Sequence, residues 1–215
     1  MPRVALATSV RFLRPVDRAD ELRPGSDVRF LDLPARRFVM IDGEGPPGNT
    51  SFGPRMPGLY ATAWTLRFAL KRRGVVSRVG PLEGLWWTVD GATNLDEIFA
   101  PGRDLWRWTL VIALPDAATD AEVDAALAGG REKLDPGLAR GLRVERFDEG
   151  RVAQLQHVGP YAAERETIER LHDAIAGAGL TPRGRHHEIY MGDPRRSAPE
   201  RLKTILRQPV GGSGD

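Results

Sequence analysis

One order of elements occurs twice along the chain, and this repetition sets its architecture. Residues 37–42 alternate as the two faces of a strand do, and a helical pattern follows at residues 59–74. Residues 151–158 and 161–180 give the same succession of strand and helix in the second half. A repeat of this kind predicts two similar modules.

The second strand of each half strengthens the repeat. LEGLWWTVD (residues 82–90) and HHEIYM (residues 186–191) are rich in β-forming side chains. Each strand ends at or just before an Asp, Asp90 or Asp193. Four residues further on comes a residue that commonly caps a helix, and three residues after it a Glu, as in a capping box. The two capping patterns run from Asn94 to Glu97 and from Ser197 to Glu200. LWRWTLVIALP, residues 105–115, predicts a further strand in the first half.

Together these elements predict an α+β fold, with helices on one side of antiparallel sheet and a pseudo-twofold between the modules. A helix at residues 119–134, opened by a capping box from Thr119 to Glu122, connects the halves. We therefore expect a ligand cleft where the modules meet. The predicted parts are an N-terminal leader at 1–27, a single domain at 28–210 with modules at 28–115 and 142–210, a helical connection at 116–141 and a flexible tail at 211–215.

Composition and charge exclude several classes of protein. The 215 residues include no cysteine, so there is no disulfide framework, thiolate metal site or cysteine nucleophile. A formal net charge of only +2 does not demand a nucleic-acid partner. No apolar run approaches the ~20 residues of a membrane helix, and we recognise no secretory signal. We expect a cytoplasmic protein that binds no membrane and no nucleic acid directly.

HHEIYM places an acid within a strand that is otherwise half apolar. Alternation puts His186, Glu188 and Tyr190 on one face and Ile189 on the other. The ordinary interpretation is an acid on the wet face of an exposed strand, since buried Glu is rare unless it is paired. The repeat offers another interpretation, because it matches Tyr190 with Trp87 on the two walls of the cleft.

Five segments of the chain, in order, resemble a known family. They are LPARRFVMIDGEG, LYATAWTLRFALKRRG, PLEGLWW, LQHVGPY and HHEIYMGDPRRSAPERLKTILRQPV. Over roughly residues 28–210 the chain is similar to the GyrI-like small-molecule-binding domain proteins. The resemblance implies a duplicated fold of two strand–helix–strand–strand modules, of SHS2 type, around a central pocket. In the family this pocket takes bulky aromatic or cationic compounds, and some standalone members hydrolyse the cyclopropane of DNA-alkylating antibiotics.

The resemblance also implies which residues act. Glu188 would be the general base that activates water, and Tyr190 the proton donor to the developing oxyanion. The implied ligand-binding residues are Trp64, Trp87, Tyr60 and His186, whose rings suit a flat polycyclic ligand. We expect no cofactor and no metal, because His186, His187 and Glu188 are consecutive and cannot all point at one ion from a regular strand.

Three functions remain open from the sequence. The favoured one is an enzyme, a hydrolase that detoxifies cyclopropanoid electrophiles. The alternative is a binding protein that sequesters or senses a hydrophobic aromatic or cationic small molecule without turnover. The third, ranked last, is an inhibitor that binds gyrase. Residues 1–27 are too short and too rich in proline for a complete helix-turn-helix domain, and we assign them no role.

Overall fold

The computed structural model of the chain describes residues 10–15, 17–23, 25–46, 49–88 and 106–212. The strands within these residues are β1 (Arg29–Leu33), β2 (Arg36–Glu44), β3 (Leu82–Thr88), β4 (Trp106–Ala113), β5 (Arg143–Phe147), β6 (Gly150–Val158), β7 (Leu180–Pro182), β8 (His186–Tyr190) and β9 (Lys203–Gly212). The α-helices are α1 (Arg18–Glu21), α2 (Asn49–Phe52), α3 (Met56–Arg72), α4 (Asp120–Arg131), α5 (Pro136–Ala139) and α6 (Glu164–Gly177).

The chain forms two compact units. One, here called the split unit, joins Met1–Pro34 to Glu149–Asp215. The other, the continuous unit, is Ala35–Asp148. Each unit combines antiparallel strands with a long helix, as an α+β fold does.

In the split unit the strands lie in the order β1, β6, β9, β8, and β7 also pairs with β9. Helix α6 packs against β6, β7 and β9. It does so through Ile168, Leu171 and Ile175, which are buried and recur at helical spacing. A second buried cluster joins Leu22 to Ile189 and Ile205, so the residues that follow α1 pack against β8 and β9.

In the continuous unit the order is β3, β4, β2, β5. Helix α3 packs against α4 and contacts β2 and β4. A cluster of buried side chains from three of the strands forms part of the core; its members are Phe38, Met40, Leu85 and Val111.

The predicted α+β class is confirmed, and the strands and helices predicted from periodicity are present within a few residues of their predicted bounds. The capping box from Thr119 to Glu122 is confirmed at the start of α4. The box predicted from Ser197 to Glu200 is wrong. A 3₁₀ turn at Pro199–Arg201 takes its place, with Ala198 at the N-cap and no side-chain cap. Asn94 to Glu97 lies outside the described residues, and the duplicated module stays a prediction.

Several short elements were not predicted, among them β1, β5, β7, α1 and α2. Strand β1 pairs with β6, so residues 29–33 belong with the C-terminal part of the chain. The continuous unit therefore starts later than the module predicted at 28–115, while the domain boundaries themselves stay a prediction. None of the helices in the described ranges is both long enough and apolar enough to span a membrane.

Candidate functional site

Strand β8 carries the candidate site, and its pairing with β9 fixes the direction of each side chain. His187 lies opposite Arg207, and Tyr190 lies opposite Thr204. Burial alternates along most of the strand, because His187 and Ile189 are fully buried whereas Glu188 and Tyr190 are partly exposed. The acid and the phenol therefore share one face of the strand, two residues apart.

Tyr190 and Glu188 form a direct pair on that face. The Tyr190 hydroxyl donates a hydrogen bond to Oε2 of Glu188 at 2.8 Å. The Glu188 side chain is only 17% exposed. The geometry brings together a mostly buried carboxylate and a phenolic proton.

Two further residues of the split unit join this pair. The ring of Tyr161 lies edge-on to that of Tyr190, with 5.7 Å between centroids. Burial raises the pKa of the Tyr161 hydroxyl, and the charges of Glu164, Glu188 and Asp193 raise it further. Tyr161 belongs to LQHVGPY, one of the segments that carry the family resemblance, but nothing in the sequence indicated a function for its side chain. Glu164 was also missed, because an acid in the first turn of a helix is an ordinary solvent-exposed feature.

His186 lies beside Glu188 without bonding to it. Nε2 of His186 is 3.9 Å from Oε1 of Glu188, too far for a hydrogen bond. Burial, and after it the charges of His172 and His187, lower the pKa of His186 to about 3. The ring is neutral at physiological pH, so it does not act as a cationic partner of the acid.

A buried polar network holds the opposite face of β8. His187 Nδ1 lies 2.8 Å from Oε1 of Glu149. Arg207 donates to Oε2 of Glu149 at 2.7 Å, to Oε1 of Glu21 at 3.0 Å and to Oε1 of Gln154 at 2.9 Å. Burial alone would raise the pKa of Glu149, but His187 and Arg207 hold it well below its usual range. This network fixes the strand that presents Glu188 and Tyr190.

The continuous unit holds an aromatic cluster of Phe52, Trp86, Trp106 and Trp108. Phe52 lies 4.7 Å from Trp108, and Trp86 lies 5.6 Å from Trp106, measured between ring centroids. Trp108 is fully buried. The guanidinium carbon of Arg55 lies 5.1 Å from its ring centroid, a cation–π contact.

The remaining predicted ligand-binding residues also lie in the continuous unit. Trp87 is half-buried on β3, and Tyr60 is half-buried on α3. Trp64 on α3 is 43% exposed. Its ring stacks on Phe68 with centroids 5.8 Å apart, and the Arg67 guanidinium lies 5.1 Å from the Trp64 ring.

The described ranges contain no group of three or more His, Cys, Asp or Glu side chains that could hold a metal ion. A groove of about 650 Å³ on the split unit contains none of the predicted site residues. It is lined by Arg11, Phe12, Leu13, Arg14, Asp20, Arg23 and Arg29. Four arginines around an open groove do not suit a lipophilic cation, so we place the candidate site at β8.

A family model identifies a small-molecule-binding domain in this chain. Residues 112–210 match the family model of the GyrI-like small molecule binding domain. The chain belongs to the GyrI-like family, as its resemblance to solved structures over nearly its whole length also shows.

Three structures from Listeria innocua illustrate that resemblance. An uncharacterized conserved protein shares 34% identity over 90% of this chain and 97% of its own, with a TM-score of 0.75. A hydrolase shares 31% identity over 89% of this chain and 95% of its own, with a TM-score of 0.70. A hydrolase encoded by lin2189 shares 31% identity over 90% of this chain and 96% of its own, with a TM-score of 0.73. No curated protein sequence matches the chain.

Proposed function

We propose that this protein binds bulky aromatic or cationic small molecules beside Glu188 and Tyr190, and that it detoxifies reactive cyclopropanoid compounds by hydrolysing them. The observation that carries the proposal is the 2.8 Å hydrogen bond from Tyr190 to a mostly buried Glu188. Hydrolysis by water needs a base and a proton donor, and this pair supplies one of each. The two Listeria hydrolases, each 31% identical, support a hydrolytic role.

Opening of a cyclopropane by water needs few groups from the protein beyond Glu188 and Tyr190. A cyclopropane conjugated to a dienone opens when water attacks its methylene carbon. The new C–O bond forms as the ring C–C bond breaks, and the electron pair of that bond passes to the carbonyl oxygen. Glu188 takes the proton that water loses, and Tyr190 donates its proton to the oxyanion, which becomes a phenol. The proton on Glu188 then returns to Tyr190 through their hydrogen bond, so the pair is restored.

Without ligand, the Tyr190 proton points at Glu188. A ligand carbonyl that accepts this proton instead frees one oxygen of Glu188 for the attacking water. Ligand binding would thus break the hydrogen bond between Tyr190 and Glu188, so that Tyr190 can act as the acid and Glu188 as the base. A ligand without a hydrogen-bond acceptor leaves the Tyr190–Glu188 hydrogen bond intact and is bound without turnover.

Trp64, Trp87, Tyr60 and His186 remain proposed ligand contacts. Each carries a flat ring, and stacking on an aromatic ligand contributes ~0.5–1.5 kcal/mol per pair beyond burial. A cationic ligand would gain cation–π attraction from the indoles in addition.

A second candidate function is binding without catalysis. It is favoured by the family model, which describes a small-molecule-binding domain rather than an enzyme. In this case Glu188 is a counter-charge for a cationic ligand. Inhibition of gyrase ranks third, since it uses none of the features of β8.

Mass spectrometry of a dienone cyclopropane incubated with the protein separates these functions. We expect the mass of the compound to increase by one water. Glu188→Gln should slow this hydrolysis by about 10²–10⁴-fold while binding is retained, and Tyr190→Phe should slow it as well. Glu166→Gln, which changes an exposed acid on α6, is the matched control and should act like the wild type.

Tight binding with no product would support the binding protein. Unchanged turnover in Glu188→Gln would remove Glu188 from the mechanism. Loss of supercoiling by purified gyrase would favour the third candidate.

A further inference from the structure

Glu164 is a buried acid close to the candidate site. It is the first residue of α6 and is 5% exposed. Among the residues that the structure describes, its Oε1 has no hydrogen-bond partner. A buried carboxylate with one oxygen that no donor reaches is disfavoured, which favours the protonated carboxyl at this position.

The fold connects Glu164 to Glu188 through neighbouring side chains. Thr204 on β9 lies directly across from Tyr190 on β8, and Tyr190 donates to Glu188. The Thr204 hydroxyl also lies beside the Glu164 carboxyl. Tyr161, in the turn that leads into α6, packs edge-on against Tyr190. The two acids therefore flank one cluster of hydroxyl groups within the split unit.

The electrostatics follow from this arrangement. Burial, and after it the charge of Glu188, raise the pKa of Glu164 to about 8, although Thr204 partly opposes the rise. Two carboxyls that act on each other in this way cannot both ionise at neutral pH without a large penalty. At neutral pH the pair holds one proton and one negative charge.

Within the described part of the chain, no cation is among the groups that shift the pKa of Glu164. Tyr161 is a neutral phenol at neutral pH, because its pKa is raised above the usual value of 10.0. His157, on the strand beneath α6, contacts Thr167 at 2.9 Å and the Pro160 carbonyl at 3.3 Å. His186 is kept neutral by its lowered pKa. Asp193 is held by Arg195 at 2.9 Å.

We propose that Glu164 and Glu188 are a proton-sharing carboxyl pair, and that an organic cation bound beside Glu188 displaces the shared proton. The inference rests on the proposed function only in placing the ligand at Glu188. The Glu164 O–H bond breaks, its proton passes to solvent, and the pair gains a second negative charge opposite the cation. A neutral ligand leaves the proton in place. The site thus takes cations more tightly as pH rises, and takes neutral compounds independently of pH.

The pair can be tested first without any ligand. Carbon-13 NMR of the glutamate carboxyls, assigned through their loss in Glu164→Gln, should show Glu164 titrating near the raised pKa of about 8. In Glu188→Gln this pKa should fall, because the neighbouring charge is removed. Titration of Glu164 at its usual value of 4.5 in the wild type would overturn the proposal.

Proton release is the second test. Tetraphenylphosphonium is a suitable probe, since it is bulky, aromatic, permanently charged and has no proton of its own to lose. Calorimetry at pH 7 in phosphate and in Tris, which differ in ionisation enthalpy, should show release approaching one proton per cation bound. Affinity should rise by up to about tenfold per pH unit below pH 8 and then level off.

The controls separate this proposal from the proposed function. Glu164→Gln should still bind the cation but release no proton, and neutral triphenylphosphine oxide should release none from the wild type. Glu166→Gln should match the wild type throughout. Cation binding without proton release, or no cation binding at all, would overturn the proposal. Hydrolysis of a cyclopropanoid would still stand in either case, because its assay needs no cation.

Discussion

Arg207 and Glu21 form a fully buried ion pair with 3.0 Å between Nη2 and Oε1, although 186 positions separate them in the chain. Arg207 also bonds to Glu149 at 2.7 Å, so one guanidinium compensates two buried carboxylates. Arg18 also pairs with Glu21, and His187 with Glu149, so removal of Arg207 leaves each buried acid with one partner fewer and no water in its place.

We therefore expect Arg207→Ala to lower the free energy of unfolding by about 3–5 kcal/mol. Urea denaturation followed by far-ultraviolet circular dichroism measures this loss. Arg165→Ala is the control, because Arg165 is an exposed arginine that pairs with Glu169 on α6, and it should change stability by less than about 0.5 kcal/mol. A loss below about 1 kcal/mol for Arg207→Ala would show that the two acids find other compensation.

The same network predicts how stability responds to acid. The pKa of Glu149 in the folded protein is depressed by His187 and Arg207 below its usual 4.5, so the folded state binds protons less readily than the unfolded state. The contribution of Glu149 is then complete above about pH 4.5 and is lost as pH falls toward the folded pKa. Glu149→Gln should be less stable than the wild type at pH 7 and should lose less on acidification to pH 3. Glu166→Gln should follow the wild-type curve, and parallel curves for Glu149→Gln and the wild type would contradict the assignment.

Gly43 gives a steric prediction. It lies opposite Trp108 across β2 and β4, and a Cβ at this position would lie 2.0 Å from Cη2 of the indole. Because Trp108 is fully buried among other aromatic rings, it has little room to move. Gly43→Ala should destabilise the protein by about 1–3 kcal/mol or more, and near-ultraviolet circular dichroism should report a displaced indole. Gly129→Ala on α4 meets nothing within 4 Å and should be neutral or stabilising.

Gly159 gives a prediction about the site. Its φ of +142° is one that side chains rarely allow, and a Cβ would lie 3.1 Å from Nε2 of His157. His157 contacts Thr167 and the Pro160 carbonyl, so it helps to set where α6 begins and where Glu164 lies. Gly159→Ala should cost about 1–3 kcal/mol of stability and should weaken cation binding as well.

Gly177→Ala, in open space at the end of α6, provides the comparison for Gly159→Ala. It should be at least as stable as the wild type and should keep full binding. Equal stability of the two alanine variants would refute the role given to Gly159.

Local patterns were enough to predict the longer elements. Strand β3 is largely apolar and β8 holds Ile189 and Tyr190, both β-formers, while α6 buries side chains at helical spacing. Strand propensity and helical spacing involve residues that are close together in the chain, so they can be recognised in one sequence without any structure. Helix α1 was missed because four residues are too short for a period to show, and β5 because three of its five residues, Arg143, Glu145 and Arg146, are charged. The same spacing arguments placed Glu188 and Tyr190 on one face of β8.

The rest of the candidate site depends on long-range geometry. Nothing near Arg207 in the sequence indicates that its partners are Glu21 and Glu149. Glu164 resembles any acid in the first turn of a helix, and only its burial against β9 distinguishes it. Ser197 has the residue type of an N-cap, but Pro199 starts the turn one residue later than that cap requires.

The division of the chain into a continuous and a split unit has a consequence for biosynthesis. A ribosome completes residues 35–148 before it makes the second half of the split unit, so the continuous unit can fold while translation proceeds. Glu21 and Glu149 are both translated before Arg207, the cation that pairs with both of them. A nascent chain that stalls before Arg207 thus lacks the guanidinium that joins the two acids, and the split unit cannot be completed until β9 has been translated.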